Sequence, residues 1–592
     1  MILVNFFIGL FSLFISPQVY LYYKYPNTKY SLVFTSGFIF SLSMIWGLVL
    51  LIHYFKFPDL YLQLFAYFFS TATFISLFIN RNREIRNRAY IPLLWLISVL
   101  VLFPLASYIG DVFTVWDAVA SWNKWAIELS QNQYQPEGTA YPIFIPALLA
   151  IMYKMQATSD IWWTAKLVLF IFPIATIFIL LNLYSETKKK TFLFILFLLY
   201  PFLASGTVIS GFVDIPVMLL GTLSLILLYA AEIYKAKKEF PCYIYLALLV
   251  AGLSSIVKQP GIAFLIFNFA YITLNYKEFN NKVILFFIFG SGVYLASFMT
   301  WFFLYSDNPV ENLEYLHKLS SSNETYDLTK FLITPNRISG VLTVVMIFVG
   351  GYLYRFKELR QYNSVGFLSG LFFLLGVIIW SSYFSYDGRN SIWVKSFLIL
   401  LFSINLDTII EKRIHVDFER FKSLFEKRFS IVMNRYSLML HMYHQRIYFG
   451  FILSVSFLLS TFMLVGDGYV YHKQEIGQSK IGDADIASIV AGILKNKSKC
   501  VQVVTPRVPL FYNYYTRDIK DRFIYGTFSD ATLIHDCEGG RYYAFGEWEL
   551  TAPYWKDIIS AEENGVISPV GEKDDLIYYI PPIGGKEKVG AR

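Results

Sequence analysis

IWWTAKLVLFIFPIATIFILLNLYSETKKK, from Ile161 to Lys190, decides what kind of protein this is. The stretch Ile161–Tyr184 carries a single charge, Lys166, and three lysines close it at 188–190. About 20 apolar residues in a helix cross the hydrocarbon of a bilayer. Such a helix has no use for the alternating polar face of a soluble one. Working outward, similar runs lie near 2–23, 31–54, 60–80, 89–110, 161–184, 191–209, 213–233, 242–257, 261–275, 283–305, 338–354, 363–382, 391–410 and 447–465. The composition agrees. Of 592 residues, 56% are hydrophobic and only 16% charged, against about a quarter charged in soluble domains. Mean hydropathy is +0.50. The N-terminus, Met-Ile-Leu-Val-Asn, has no basic region ahead of its apolar run and reads as a retained first span.

The loops alternate in charge. Basic clusters at 81–88, Lys188–Lys190, Lys235–Lys238, Lys277 and Lys282, Arg355–Arg360 and 412–446 all fall on one side of the span order. That side is the cytoplasm. The other side receives 111–160, 206–214, 258–260, 307–337, 383–390 and everything after 465. The net charge of +8 is accounted for by these loops and calls for no nucleic acid. The expected fold is mainly α: a polytopic transmembrane helical bundle of about fourteen spans, with a small C-terminal α/β soluble domain at 466–592. In that tail, Ala484–Lys495 reads as a helix, and Val501–Val504, Tyr542–Phe545 and Leu576–Ile580 read as strands. Cys500 and Cys537 both fall there. They could pair outside the cytoplasm or stay as buried thiols.

The first large outer loop is the informative one: Gly110-Asp-Val-Phe-Thr-Val-Trp-Asp117-Ala-Val-Ala-Ser-Trp-Asn-Lys-Trp-Ala126. On a helix from Asp117, residues Asp117, Ser121, Lys124 and Glu128 share one face, and Trp122, Trp125 and Leu129 another. That predicts a helix lying in the membrane interface. A second short amphipathic helix is expected after Tyr141-Pro142, running to Lys154. Later outer loops hold Gly211-Phe-Val-Asp214-Ile-Pro216, Lys258-Gln259-Pro260 and Tyr386-Asp-Gly-Arg389-Asn390.

This order of span, outer acid, surface helix and proline-bearing second helix resembles the GT-C superfamily of membrane glycosyltransferases, most of all its protein mannosyltransferase and aminoarabinose-transferase branch. Asp117-Ala118 stands where that branch often has Asp-Glu, and Tyr141-Pro142 where it has His-Pro-Pro. The second acid is therefore missing here. The resemblance covers 89–465 as the catalytic module, with outer loop 111–160, and extends to the 466–592 domain. It leaves 1–88 as additional N-terminal spans. It implies a sugar carried on a polyprenyl phosphate and passed to a glycan, lipid or protein acceptor at the outer face of a multi-pass protein in a bacterial plasma membrane.

The residues suit that chemistry. A carboxylate can take the proton of a weakly nucleophilic hydroxyl as the new bond forms; Asp117 is the candidate base and Asp111 its alternate. Cations aimed at a departing phosphate lower the barrier. Arg389 and Lys258 are the candidates, with Lys124 weaker, and Asp214 and Tyr141 as cavity-lining residues. Each has an ordinary reading as well: Arg389 as an interfacial anchor, Lys258 as the cap of a helix, Asp214 as a loop marker. No cofactor is identified by a motif of this sequence. A divalent ion, Mg²⁺ or Mn²⁺, fits the Asp111/Asp117 pair by ligand type. Two further classes remain open: a polysaccharide polymerase or ligase using lipid-linked glycans, and a transporter or flippase. The absence of a visible internal repeat counts against the last.

Overall fold

The computed structural model describes residues 2–25, 27–56, 58–79, 105, 113, 117–133, 142–279, 290, 328–353, 364–385, 388–408, 483–495, 501–505, 510, 512, 515–526, 541–544, 555–570 and 577–580. Among them, six helices are long and apolar enough to cross a membrane: Ile2–Lys24, Tyr30–Val49, Trp162–Thr187, Asp214–Ile233, Ser364–Phe384 and Gly388–Thr408. Shorter apolar helices accompany them at Thr191–Leu203, Phe240–Ser255, Gln259–Leu274 and Arg337–Val349, and Asp59–Ile79 is a further apolar helix. Apart from Leu105 and Gly290, the expected spans at 89–110, 283–305 and 447–465 lie outside the described residues; the others are helical. By helix length and composition the chain is an integral membrane protein.

In lipid, the contact between helices comes from close packing more than from exclusion of water. The Asp214–Ile233 helix shows this most clearly. Eighteen of its residues are buried. A Cβ added at Gly221 would come 2.1 Å from the Phe264 ring, so glycine is what lets the Gln259–Leu274 helix approach.

Ion pairs and helix-end carboxylates lie at the two ends of the bundle, with neutral polar pairs such as Thr222–Ser396 and Asn268–Ser224 between them. At one end, three carboxylates accept hydrogen bonds at the N-termini of other helices. Glu186 accepts from the Ser31 amide at 2.9 Å and its hydroxyl at 2.6 Å. Asp407 accepts from the Thr191 amide at 3.2 Å and hydroxyl at 2.7 Å. Glu232 accepts from the Val365 amide at 3.3 Å. Each carboxylate closes the last turn of its own helix, where the helix dipole disfavours it. Each is compensated by orphan N–H groups and the positive end of a neighbour. Lys188–Lys190 and Lys235–Lys238 flank these same helix ends, as the charge alternation requires. At the other end, Lys154 reaches Asp59 at 3.0 Å, Asn336 donates to the Pro201 carbonyl at 2.8 Å, and the residues of the later outer loops meet.

The Phe144–Gln156 helix differs from expectation. It was expected to lie at the surface on one apolar face, but all thirteen of its residues are buried, Lys154 and Gln156 included. The N-terminal helices cover it. Met155 fills the space beside Gly9, Trp46 packs at 5.9 Å from the Phe144 ring, and Gln63 donates to the carbonyls of Lys154 and Met155. The N-terminal spans are thus part of the body that holds the first outer loop.

The tail forms a five-stranded mixed sheet, ordered β2-β1-β3-β5-β4, from β1 (Gln502–Thr505), β2 (Phe523–Tyr525), β3 (Arg541–Ala544), β4 (Ser568–Pro569) and β5 (Ile577–Ile580). β1 runs parallel to β2 and β3, while β5 is antiparallel to β3 and β4. Alternation sends Val503 and Tyr542 to one face, under Ile486, Val490 and Leu494 of the Asp483–Lys495 helix. It sends Val504, Tyr543 and Tyr578 to the other, under Ile558 of the Trp555–Glu563 helix. The α/β domain and the three expected strands are as read from the sequence. β2, β4 and the Trp555–Glu563 helix were not anticipated.

Candidate active site

The Asp117 helix begins with a π turn, Ala118–Trp122, and continues as α-helix Asn123–Ser130. Its faces are those expected: Trp122, Trp125 and Leu129 are buried, while Asp117, Ser121, Lys124 and Glu128 are partly open. A second π turn, Trp380–Phe384, precedes the 3₁₀ turn Gly388–Ser391 that carries Arg389. π turns inside helices are frequent at functional sites, because they re-aim side chains.

Four stretches far apart in the chain meet here. Arg389 Nη1 donates to Asp117 Oδ2 at 2.9 Å, with the side chains 29% and 43% exposed. The Arg389 guanidinium lies 4.0 Å from the centre of the Phe212 ring, a cation–π contact. Two residues on from Phe212, Asp214 accepts from Lys258 Nζ at 2.8 Å, and that pair is nearly closed to solvent at 9% and 12%. Lys258 Nζ also lies 3.4 Å from Asn390 Oδ1. Asp117–Arg389 and Lys258–Asp214 are therefore joined twice, through the neighbours Phe212 and Asp214 and through the neighbours Arg389 and Asn390.

Local sequence explains the placement of each group. Asp214 occupies the first turn of its helix, where a carboxylate is favoured. Lys258 is held extended at φ −158°, ψ 155° between two helices, because Pro260 and the 3₁₀ turn Gln259–Gly261 interrupt the run. Gly211 has φ +95°, and a Cβ there would fall 2.5 Å from Ala118 Cβ and 2.9 Å from the Phe113 ring. Glycine is thus what lets the Phe212–Asp214 loop lie against the Asp117 helix.

Behind Arg389, the fully buried Lys395 donates to the carbonyls of Leu332 and Thr334. Gly388 packs on the same segment, and a Cβ there would come 2.5 Å from the Lys330 carbonyl. This clamp fixes the turn from which Arg389 projects. It was missed in the sequence, although a lysine inside an apolar helix is itself a signal. Phe212 and Asn390 were missed as individual contacts; both lie inside motifs that drew attention.

Lys124 does not join the cluster. It pairs with Glu128 at 3.8 Å and sits 4.2 Å from the ring centre of Tyr512, in the tail. It is a link between the loop and the C-terminal domain. Asp111, Tyr141 and Asp387 lie outside the described residues, as do Cys500 and Cys537. Among the described residues no group of three or more His, Cys, Asp or Glu is placed to hold a metal. What faces Asp117 is a guanidinium, which is no metal ligand. Asp111, the expected partner of Asp117 in a divalent-ion pair, is not among the described residues.

No family model and no curated protein matches the chain. Among solved structures, it is similar to ArnT from Cupriavidus metallidurans bound to undecaprenyl phosphate, at 12% identity and a TM-score of 0.49, covering 84% of this chain and 98% of that one. A likeness of that size carries no chemistry from one protein to the other.

Proposed function

We propose that the chain is a membrane glycosyltransferase of the GT-C type. It takes a sugar from a polyprenyl-phosphate donor and passes it to a glycan, lipid or protein acceptor at the membrane face that holds Asp117. The observation that carries this reading is the convergence of a partly open carboxylate and two cations, from distant loops, at one end of a helical bundle.

The acceptor hydroxyl oxygen attacks the anomeric carbon, and the bond from that carbon to the phosphate oxygen breaks. The polyprenyl phosphate leaves with the electron pair, and the hydroxyl proton passes to Asp117. Arg389 can face two phosphate oxygens at once. Its guanidinium lies over the Phe212 ring, so less side-chain freedom is lost when it binds. Lys258 adds a point charge. These cations pair with Asp117 and Asp214. A phosphate entering beside Arg389 competes for the guanidinium and frees the Asp117 carboxylate for the acceptor.

The positive-inside rule supports an extracytoplasmic location for this face. The test uses the purified protein in lipid with a panel of radiolabelled polyprenyl-phosphate monosaccharides and crude envelope acceptors. One donor should be consumed, and Asp117→Asn should lower the rate about 10²- to 10⁴-fold while the protein still inserts. Full activity in that variant would remove Asp117 as base. Products carrying whole oligosaccharide blocks would point to a polymerase or ligase. Substrate movement across proteoliposomes without transfer would point to a transporter.

A further inference from the structure

The end of the bundle opposite Asp117 holds an apolar groove of about 360 Å³, within the roughly 300–1,000 Å³ range of small-molecule sites. It lies between the first helical hairpin and the Phe240–Ser255 helix. Leu21, Leu32, Val33 and Leu246 form its floor, and Tyr25 and Cys242 are exposed at its edge. A groove of this kind between spans cannot stay empty in a bilayer, and water is a poor occupant for a leucine-lined wall.

Its mouth is cationic. The Lys24 ammonium stands 5.2 Å from the Tyr20 ring centre and 5.6 Å from that of Tyr25, which lines the groove. Lys29 follows the lining residue Thr28, and its ammonium is 4.8 Å from the Tyr234 ring; Lys237 approaches the same ring at 5.3 Å. Tyr234 in turn stacks on Tyr243, the neighbour of Cys242, at 5.2 Å. Two acids are near. Glu186 is engaged by the amide and hydroxyl of Ser31, and Glu239 opens the helix that carries Cys242. Lys24 and Lys29 stand either side of the loop at the groove's mouth: Lys24 contacts the Tyr20 and Tyr25 rings, and Lys29 lies over Tyr234 within electrostatic reach of Glu186. Basic pockets between spans on the lysine-rich side suit anionic lipid headgroups.

We propose that this groove is a binding site for an anionic phospholipid, with one acyl chain along Leu21, Leu32, Val33 and Leu246 and its phosphate against Lys24 and Lys29. The site is separate from the Asp117 cluster, so it stands or falls independently of the transferase reading. A lipid held there would brace the hairpin that covers the Phe144–Gln156 helix.

Cys242 provides the readout. With Cys500 and Cys537 replaced by serine in the full chain, Cys242 is the remaining thiol. The protein is placed in nanodiscs of phosphatidylcholine alone or with phosphatidylglycerol, and its alkylation by N-phenylmaleimide is timed. The expected result is alkylation slower with phosphatidylglycerol by about fivefold for each of the two lysines, about 25-fold in all, since each lysine near an anionic surface is worth about that factor. Lys24→Gln with Lys29→Gln should abolish the difference, and Lys24→Arg with Lys29→Arg should keep it. Phosphatidylglycerol should also stay bound through detergent purification of the parent protein, by mass, and be lost from the glutamine variant. Equal rates in the two lipids would overturn the proposal. So would equal protection in parent and glutamine variant, which means a chain without a recognised headgroup. Protection that appears only on adding polyprenyl phosphate would assign the groove to the donor instead and overturn it as well.

Discussion

Asp117 and Arg389 are 272 positions apart and meet at 2.9 Å, so the chemistry of each rests on the residues that fix its position. Gly211 is the most exacting of these. Alanine there meets both a left-handed backbone angle and a 2.5 Å approach to Ala118, and relief requires the Phe212–Asp214 loop to back away from the Asp117 helix. A displacement near 1 Å at a reacting group can cost about 10² in rate. Gly211→Ala should therefore lower turnover by about that factor while membrane insertion, followed by gel-filtration behaviour in detergent, is unchanged. Arg389 separates charge from shape. Arg389→Lys keeps the charge but loses the bidentate fork and the guanidinium that lies 4.0 Å from the Phe212 ring centre, and is not conservative at such a site. Transfer by the lysine variant should fall by about tenfold or more, nearer the 10²–10³ cost of losing a charge-stabilising donor than to wild type, when initial rates are compared at saturating donor.

At the scale of elements, helix ends are held by carboxylates supplied from other helices. Asp407 closes the Gly388–Thr408 helix and receives the first amide of Thr191–Leu203. Asp407→Asn keeps the shape and loses the charge. It should cost about 1 kcal/mol, read as a lower melting temperature in detergent. The pair at the other end is asymmetric. Lys154 is 1% exposed and Asp59 39%, so removing the acid leaves a buried ammonium with Asn132 Oδ1 at 3.3 Å. Asp59→Ala should destabilise by about 1–3 kcal/mol. Replacing both partners, Asp59→Ala with Lys154→Met, should recover much of that loss, because no uncompensated charge remains.

At the scale of the whole molecule, the ion pairs at one end and the helix-end carboxylates at the other fix which loops share a side. Thr207→Cys and Lys189→Cys, each in a chain whose three native cysteines are serine, should react with an impermeant maleimide from opposite sides of sealed vesicles. Labelling of both from one side would overturn the bundle order. The tail adds an alkaline limit. Burial, reinforced by its hydrogen bond to Glu562 at 3.0 Å, pushes the Tyr578 hydroxyl from its usual value near 10 up to about 12. Between these values the folded domain holds a proton that the unfolded chain has released, so stability falls as pH rises through that window. Proteolysis of the tail in the intact protein should accelerate there, and Tyr578→Phe should flatten the rise.

The sequence by itself determined the apolar helices seen among the described residues, which of their ends lie together, and the two faces of the Asp117 helix. Each of these is written in runs and periods of neighbouring residues: apolar length, lysine after apolar run, a tryptophan stripe on a helix. It also pointed to Asp117, Asp214, Lys258 and Arg389 one at a time, as polar groups at the ends of apolar runs. Only the tertiary structure decided how they pair. Phe212 under Arg389, Asn390 beside Lys258 and the clamp of Lys395 on the Leu332 and Thr334 carbonyls join segments with no shared period. Helix packing, through close approaches such as that at Gly211, selects those partners. The Phe144–Gln156 helix shows the same limit from the other direction. Its apolar stripe was legible, but its burial on every side depends on N-terminal helices that its own sequence cannot announce.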